Sequence, residues 1–213
     1  MELLKTSYRL SRVEYPELYA AADDIRKKLE LGPIPVTIYQ SQMTSSASAA
    51  LFYTADGAHV VFYGNLLDLL TPEEQKAVLA HELGHYHLWQ REQNDFLVCD
   101  RFLDSMVRQS RVENSHLQTA RHYRLYTEIY ADQASYAVLD NIELLLSALI
   151  KVSTGLKNVS VESYLEQADE ILKKAAQGSE GDSHPENYIR AKALLMYAEK
   201  SDDFDQQLKA MIE

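Results

Sequence analysis

The stretch AHELGHYH, residues 80–87, decides how this chain is read. It contains His81-Glu82-x-x-His85. In a helix, four residues advance the chain by about 1.1 turns, so the two imidazoles stack on one face. Two histidines so placed can share one tetrahedral zinc ion. Glu82 lies about 100° round the same helix, beside the ion rather than on it. That is where a general base for a metal-activated water belongs. Ala80, Leu83, Gly84 and Tyr86 are uncharged, which suits a buried helix, and Gly84 leaves room for a close neighbour. The bland alternative is a pair of histidines that only pack or meet solvent.

Outward from the motif, the helix has a clear beginning. Thr71-Pro72-Glu73-Glu74 is a capping box with proline at the first helical position, and it predicts a helix to about Glu92. Upstream, a helix is predicted over 13–30, broken by Gly32-Pro33, and strands over Val36–Tyr39, Ala50–Thr54 and Ala58–Tyr63. Ala55-Asp56-Gly57 reads as a hairpin turn between the last two. Downstream, helices are predicted over 95–110, 115–139, 141–155, 160–177, 186–199 and 202–212. The expected fold is one α+β domain over 1–213. It is predominantly helical and zincin-like, with a small β-sheet preceding the active-site helix. Residues from about 141 to 213 form its helical C-terminal part.

A catalytic zinc needs a third protein ligand and an open position. The metzincin pattern would put Gly and His where this chain has Leu88 and Arg91, so that class is excluded. The ligand must come from elsewhere. Glu128 and Asp132 fall i and i+4 in a predicted helix, hence on one face. Glu128 can complete the zinc shell, and Asp132 can accept the free N–H of a ligand histidine. The alternative is a solvated acidic face on an acidic protein.

Composition narrows the function classes. The chain has 213 residues, 46% hydrophobic and 25% charged, which is globular. Its net charge of −11 argues against a nucleic-acid partner, because phosphate binding needs a basic face. One cysteine, Cys99, cannot form an intramolecular disulfide and is expected to be small and buried. The N-terminus has no apolar run of signal-peptide length, and Ile142–Val152 is far short of the roughly 20 residues that span a bilayer. The expectation is a soluble cytoplasmic protein without an integral membrane segment.

Three segments together carry a resemblance. VVFYGNLLDLLTPEEQKAVLAHELGH, then TEIYADQAS, then SHPENYIRAKAL are similar to the HtpX / CAAX-prenyl-endopeptidase family of gluzincin metallopeptidases. The resemblance covers about residues 45–195. It implies one Zn2+ held by His81, His85 and Glu128, a catalytic Glu82, and His184 and Arg190 near the cleft. It also implies a peptide or protein substrate. The chain departs from the family in carrying Ser48-Ala49-Ala50 where an Asn-Ala strand is usual, and His87 where an apolar residue is usual.

Residue by residue, His184 can stabilise the oxyanion of a tetrahedral intermediate, or simply cap the helix after Pro185. Arg190 can hold a carboxylate, either Glu128 or the substrate's, or be a surface charge. Strand 58–63 is a candidate edge strand for pairing with an extended substrate, or an ordinary core strand, and the two readings are compatible. Tyr123, Tyr126, Tyr130 and Tyr136 are expected in the core, with one as a possible phenol donor. Region 93–115, with Arg101, Arg108 and Arg111, reads as a lid or as a bundle helix. The functional expectation is a soluble zinc metalloendopeptidase. Its alternatives are a zinc-containing scaffold, a latent peptidase-like binding protein, or a hydrolase of some other amide.

Overall fold

The computed structural model describes residues 5–44, 46–54, 57–108, 112–174 and 178–213. Four strands form one sheet in the order β1-β2-β4-β3: β1 Tyr8–Arg9, β2 Val36–Ser41, β3 Ser48–Thr54 and β4 Gly57–Tyr63. β2 and β4 run parallel, while β3 and β1 join antiparallel on either side. Of the hairpin turn between β3 and β4, Ala55 and Asp56 lie outside the described residues.

Strand 58–63, expected to meet substrate at a free edge, is internal. β2 fills one of its sides and β3 the other, so its backbone groups are already paired. Its near-continuous burial fits that place. Among the described residues β3 forms one edge of the sheet and the two-residue β1 the other.

Helix α1 (Pro16–Lys28) begins on Pro16 and buries Leu18, Tyr19, Ala21, Ala22 and Ile25 against the sheet side. A short turn, α2 (Leu66–Leu69), leads to α3 (Pro72–Gln90), which carries the histidine motif. The capping box is present in full: Thr71 accepts from the Glu74 N–H, and Glu74 accepts from the Thr71 N–H at 2.9 Å. The chain then forms α4 (Asp95–Val107), the long α5 (Asn114–Leu139), α6 (Ile142–Thr154), α7 (Val161–Lys174), α8 (Asn187–Ala198) and α9 (Phe204–Ile212). The fold is thus α+β and predominantly helical, as the spacing of apolar residues predicts.

α3 lies at the centre of the molecule. Leu79, Ala80, Leu83 and Tyr86 join the sheet and α1 in one core, while Ala77 joins α6 and α8 in a second. α5 crosses it closely at Gly84. A Cβ there would sit 3.1 Å from the Ala131 Cα and 3.1 Å from the Ala134 Cβ. The missing side chain therefore lets the backbone of α5 approach, which brings Glu128 and Asp132 level with the histidines.

α4 differs from its neighbours. It buries no residue fully, and Val98 and Phe102 are 65% and 62% exposed. Cys99, expected inside, lies on this exposed helix. Its exposure has a simple cause: α4 packs on α3 and α5 by one narrow face, and Cys99 is on the other. Arg111 lies outside the described residues. Among those described, no helix is long and apolar enough to cross a membrane.

Candidate metal centre

Three elements deliver the site: α3, α5 and the segment that opens α8. His81 Nε2 and His85 Nε2 are 3.3 Å apart. Glu128 closes the triangle, with Oε2 3.4 Å from His81 Nε2 and Oε1 3.3 Å from His85 Nε2. One ligand atom from each of the three lies within 4.8 Å of the other two. Helix periodicity explains the histidine pair, and the Gly84 contact explains how a carboxylate 43 to 47 residues further on reaches it.

The residues around this triangle fix its orientation. His81 Nδ1 lies 2.9 Å from Asp132 Oδ1. With Nδ1–H donated to that carboxylate, Nε2 presents its lone pair to the triangle. Arg190 grips Asp132 with both arms, Nε to Oδ2 at 2.8 Å and a terminal nitrogen to Oδ1 at 2.7 Å. Its other terminal nitrogen is 3.5 Å from Glu128 Oε2. Of the carboxylates proposed for Arg190 from sequence, Glu128 is therefore only a near neighbour, and the bidentate partner is Asp132.

The electrostatics describe a place that draws positive charge. Burial alone would lower the His81 pKa, but the Asp132 hydrogen bond and the nearby Glu128 carboxylate push it up to about 10. Burial also opposes the ionised Glu128, yet the imidazoles of His85 and His81 and the Arg190 guanidinium hold its carboxyl well below the usual range. Glu128 Oε2 is buried and accepts no hydrogen bond. An orphaned carboxylate oxygen facing two ring nitrogens is a donor set that fits zinc, which takes imidazole nitrogen and carboxylate oxygen in four-coordinate sites.

Glu82 is buried on α3 and lines the cavities on both sides of the triangle. Burial holds its carboxyl above the usual range, against the lowering pull of His81 and His85. His184 stands before α8 with its side chain 61% exposed, its Nε2 3.4 Å from Glu128 Oε1 and its Nδ1 2.8 Å from the Ser183 hydroxyl. It opens to the cleft rather than packing beneath it.

Other residues go elsewhere. His87 pairs with the Tyr130 hydroxyl at 3.0 Å, away from the triangle. The four tyrosines are half-buried rather than core, because their hydroxyls reach polar partners. Tyr123 donates to the Phe96 carbonyl at 2.7 Å and Tyr126 to Glu213 at 3.3 Å.

Two cavities flank the triangle. One, of about 290 Å³, has an apolar wall from Val78, Ala148, Leu149 and Val152. The second, of about 330 Å³, opens towards α4 along Ala49, Ala50 and Leu51 of the free edge strand β3. No single stretch of sequence supplies these walls, since α3, α6 and β3 meet only in the fold. The apolar run Ile142–Val152 is the one local hint of the first.

A family model described as "Peptidase family M48" matches residues 20–198. A relative, "plastoglobule-localized metallopeptidase 48, chloroplastic" of Arabidopsis thaliana, is 25% identical over 176 residues. That match covers 79% of this chain and 50% of the relative, so the chain spans about half of that protein's length. With a match across nearly the whole described fold and a His-His-Glu triangle at its centre, the chain belongs to the M48 family of metallopeptidases.

Proposed function

We propose that the chain hydrolyses peptide bonds as a zinc-dependent endopeptidase, with residues 1–213 working as one domain. The observation that carries this reading is the triangle of His81, His85 and Glu128, with an orphaned buried oxygen on Glu128 and a buried Glu82 beside it. His81, His85 and Glu128 would hold one zinc ion, which supplies Lewis acidity at the scissile carbonyl and lowers the pKa of water.

The remaining work falls to the chain's own groups. Glu82 accepts the proton of the attacking water and later passes it to the leaving amine. Its raised carboxyl pKa suits a group that must both take and return a proton. His184, exposed in the cleft and steadied by Ser183, donates a hydrogen bond to the developing oxyanion. Asp132 fixes the ring of His81, and Arg190 fixes Asp132. An extended peptide pairs with the free edge of β3, so its backbone lies across the triangle between the two cavities. The C-terminal part belongs to the same unit because Arg190 comes from α8 and His184 from the segment before it.

The test is a Glu82→Gln variant of the zinc-loaded chain on a peptide library. It should keep zinc and lose kcat by about 10²–10⁴-fold, the usual weight of general acid–base catalysis. Parent-like turnover by this variant overturns the mechanism. A parent that binds zinc but turns over no peptide speaks for the latent or scaffold role instead.

A further inference from the structure

The cavity towards α4 contains a charge that the proposed chemistry does not use. Asp100, half-buried on α4, lines it together with Trp89, Arg124 and Thr127. Arg124 is already spent, its guanidinium 2.9 Å from Asp104. Among the described residues the Asp100 side chain has no hydrogen bond and no ion pair; Arg101, Arg124 and His85 act on it only through space. Burial, with the Asp104 charge nearby, holds its carboxyl above the usual range, so it gains from any cation that reaches it. Trp89 is half-buried beside it, one helical turn beyond His85, with ring centroids 6.4 Å apart.

We infer that this cavity is a subsite for a basic side chain of the substrate, with Asp100 and Trp89 as its specificity-determining residues. The inference rests on the peptidase reading above and adds a substrate class to it. A lysine or arginine entering from a peptide on β3 lays its aliphatic stem along the indole and brings its cation to the Asp100 carboxylate. An acidic side chain in the same place meets the unpaired Asp100 carboxylate and is repelled. The apolar chamber lies at the Ser48 end of β3 and this cavity at the Leu51 end, with the triangle between them. Substrates therefore carry a basic residue on one side of the cleaved bond and an apolar residue on the other.

Two measurements decide it. In the first, cleavage of a peptide library by the zinc-loaded chain is mapped by mass spectrometry. Lysine and arginine should be enriched at one fixed position, and replacing that residue by norleucine should lower kcat/KM by about tenfold, the scale of one partly desolvated charge with a cation–π contact. Asp100→Asn should erase that ratio and Asp100→Lys should turn it towards acidic residues. In the second, the arginine and norleucine forms of one cleaved peptide are titrated into Glu82→Gln protein. Trp89, the chain's one tryptophan, reports through its own fluorescence. The arginine form should bind about tenfold tighter and shift the emission. Cleavage without a basic preference, or a preference untouched by Asp100→Asn in a folded variant, overturns the subsite. A parent that cleaves nothing defeats the peptidase reading. In that case the fluorescence arm, run with a library peptide in arginine and norleucine forms, still judges the subsite by the same ratio.

Discussion

Two buried carboxylates touch helix α3, and they are kept in opposite ways. Near its first turn Glu74 is 4% exposed and fully provided for. The Thr71 N–H reaches one oxygen at 2.9 Å; the Ser147 hydroxyl and the Lys151 ammonium reach the other, each at 2.7 Å. Two turns on, Glu128 is buried as deeply, but its Oε2 accepts no hydrogen bond: His81 Nε2 stands 3.4 Å and the Arg190 guanidinium 3.5 Å away. A carboxylate whose acceptors are filled by the chain itself is a bolt: it ties the start of α3 to α6. One left unfilled among converging lone pairs costs stability unless something from outside completes it. The unmet acceptor, rather than burial or charge, is what sets Glu128, the proposed zinc ligand, apart from the structural ion pair of Glu74.

Exchanging the two carboxylates for alanine should expose that division most strongly. Glu128→Ala removes the oxygen proposed to hold zinc, so the purified chain should lose stoichiometric zinc and all turnover. Glu74→Ala should keep zinc. Metal content by mass spectrometry checks both, and equal zinc in the two variants would falsify the distinction. Zinc should also stabilise the parent, by about 2.7 kcal/mol at a hundred times its Kd, and leave Glu128→Ala unmoved.

A smaller effect tests the bolt. Lys151→Met keeps the aliphatic stem but strands Glu74 with the Thr71 N–H and the Ser147 hydroxyl. Breaking a buried pair from one side should cost about 3 kcal/mol of unfolding free energy, with zinc binding unchanged. Urea denaturation of the metal-free chain measures it, and a loss near zero would mean that Glu74 is already satisfied without the ammonium.

The same contrast explains what could be read in advance. His81, Glu82, His85 and the capping box are local: one helix of period 3.6 places them, and Thr71 to Glu74 announces where it starts. Glu128 and Asp132 share a helix face for the same reason, although only the Gly84 contact decides that this face meets the histidines. Arg190 is 58 residues from Asp132 in the chain, and nothing local in the sequence distinguishes Asp132 from Glu128 as its partner. The place of strand 58–63 was open to reading. GAHVVFY is apolar almost throughout, the mark of a strand covered on both sides, and an edge assignment conflicts with it. β1, two residues long, has no periodicity to detect. The exposure of Cys99 depends on what α4 docks against, which its amphipathic pattern does not reveal.

Acid should separate parent from Lys151→Met by a sign that can be worked out. Burial pushes the Glu74 carboxyl up, but the Lys151 hydrogen bond, helped by Thr71 and Ser147, brings it below its ordinary value of 4.5. A depressed folded-state pKa contributes stability that is present above about pH 4.5 and lost as pH falls through the folded value. In Lys151→Met the largest lowering contact is gone and burial prevails, so the carboxyl rises and acid no longer costs that variant the same stability. The free-energy gap between the two metal-free proteins should therefore be widest near pH 7 and narrow below pH 4.5, by about 1.4 kcal/mol for each unit between their folded-state pKa values. Other carboxylates titrate alike in both proteins and cancel in the difference. A gap of constant width from pH 7 to pH 3 would mean that Lys151 acts on α6 packing alone, and the ion pair would lose its claim to hold α3 in place.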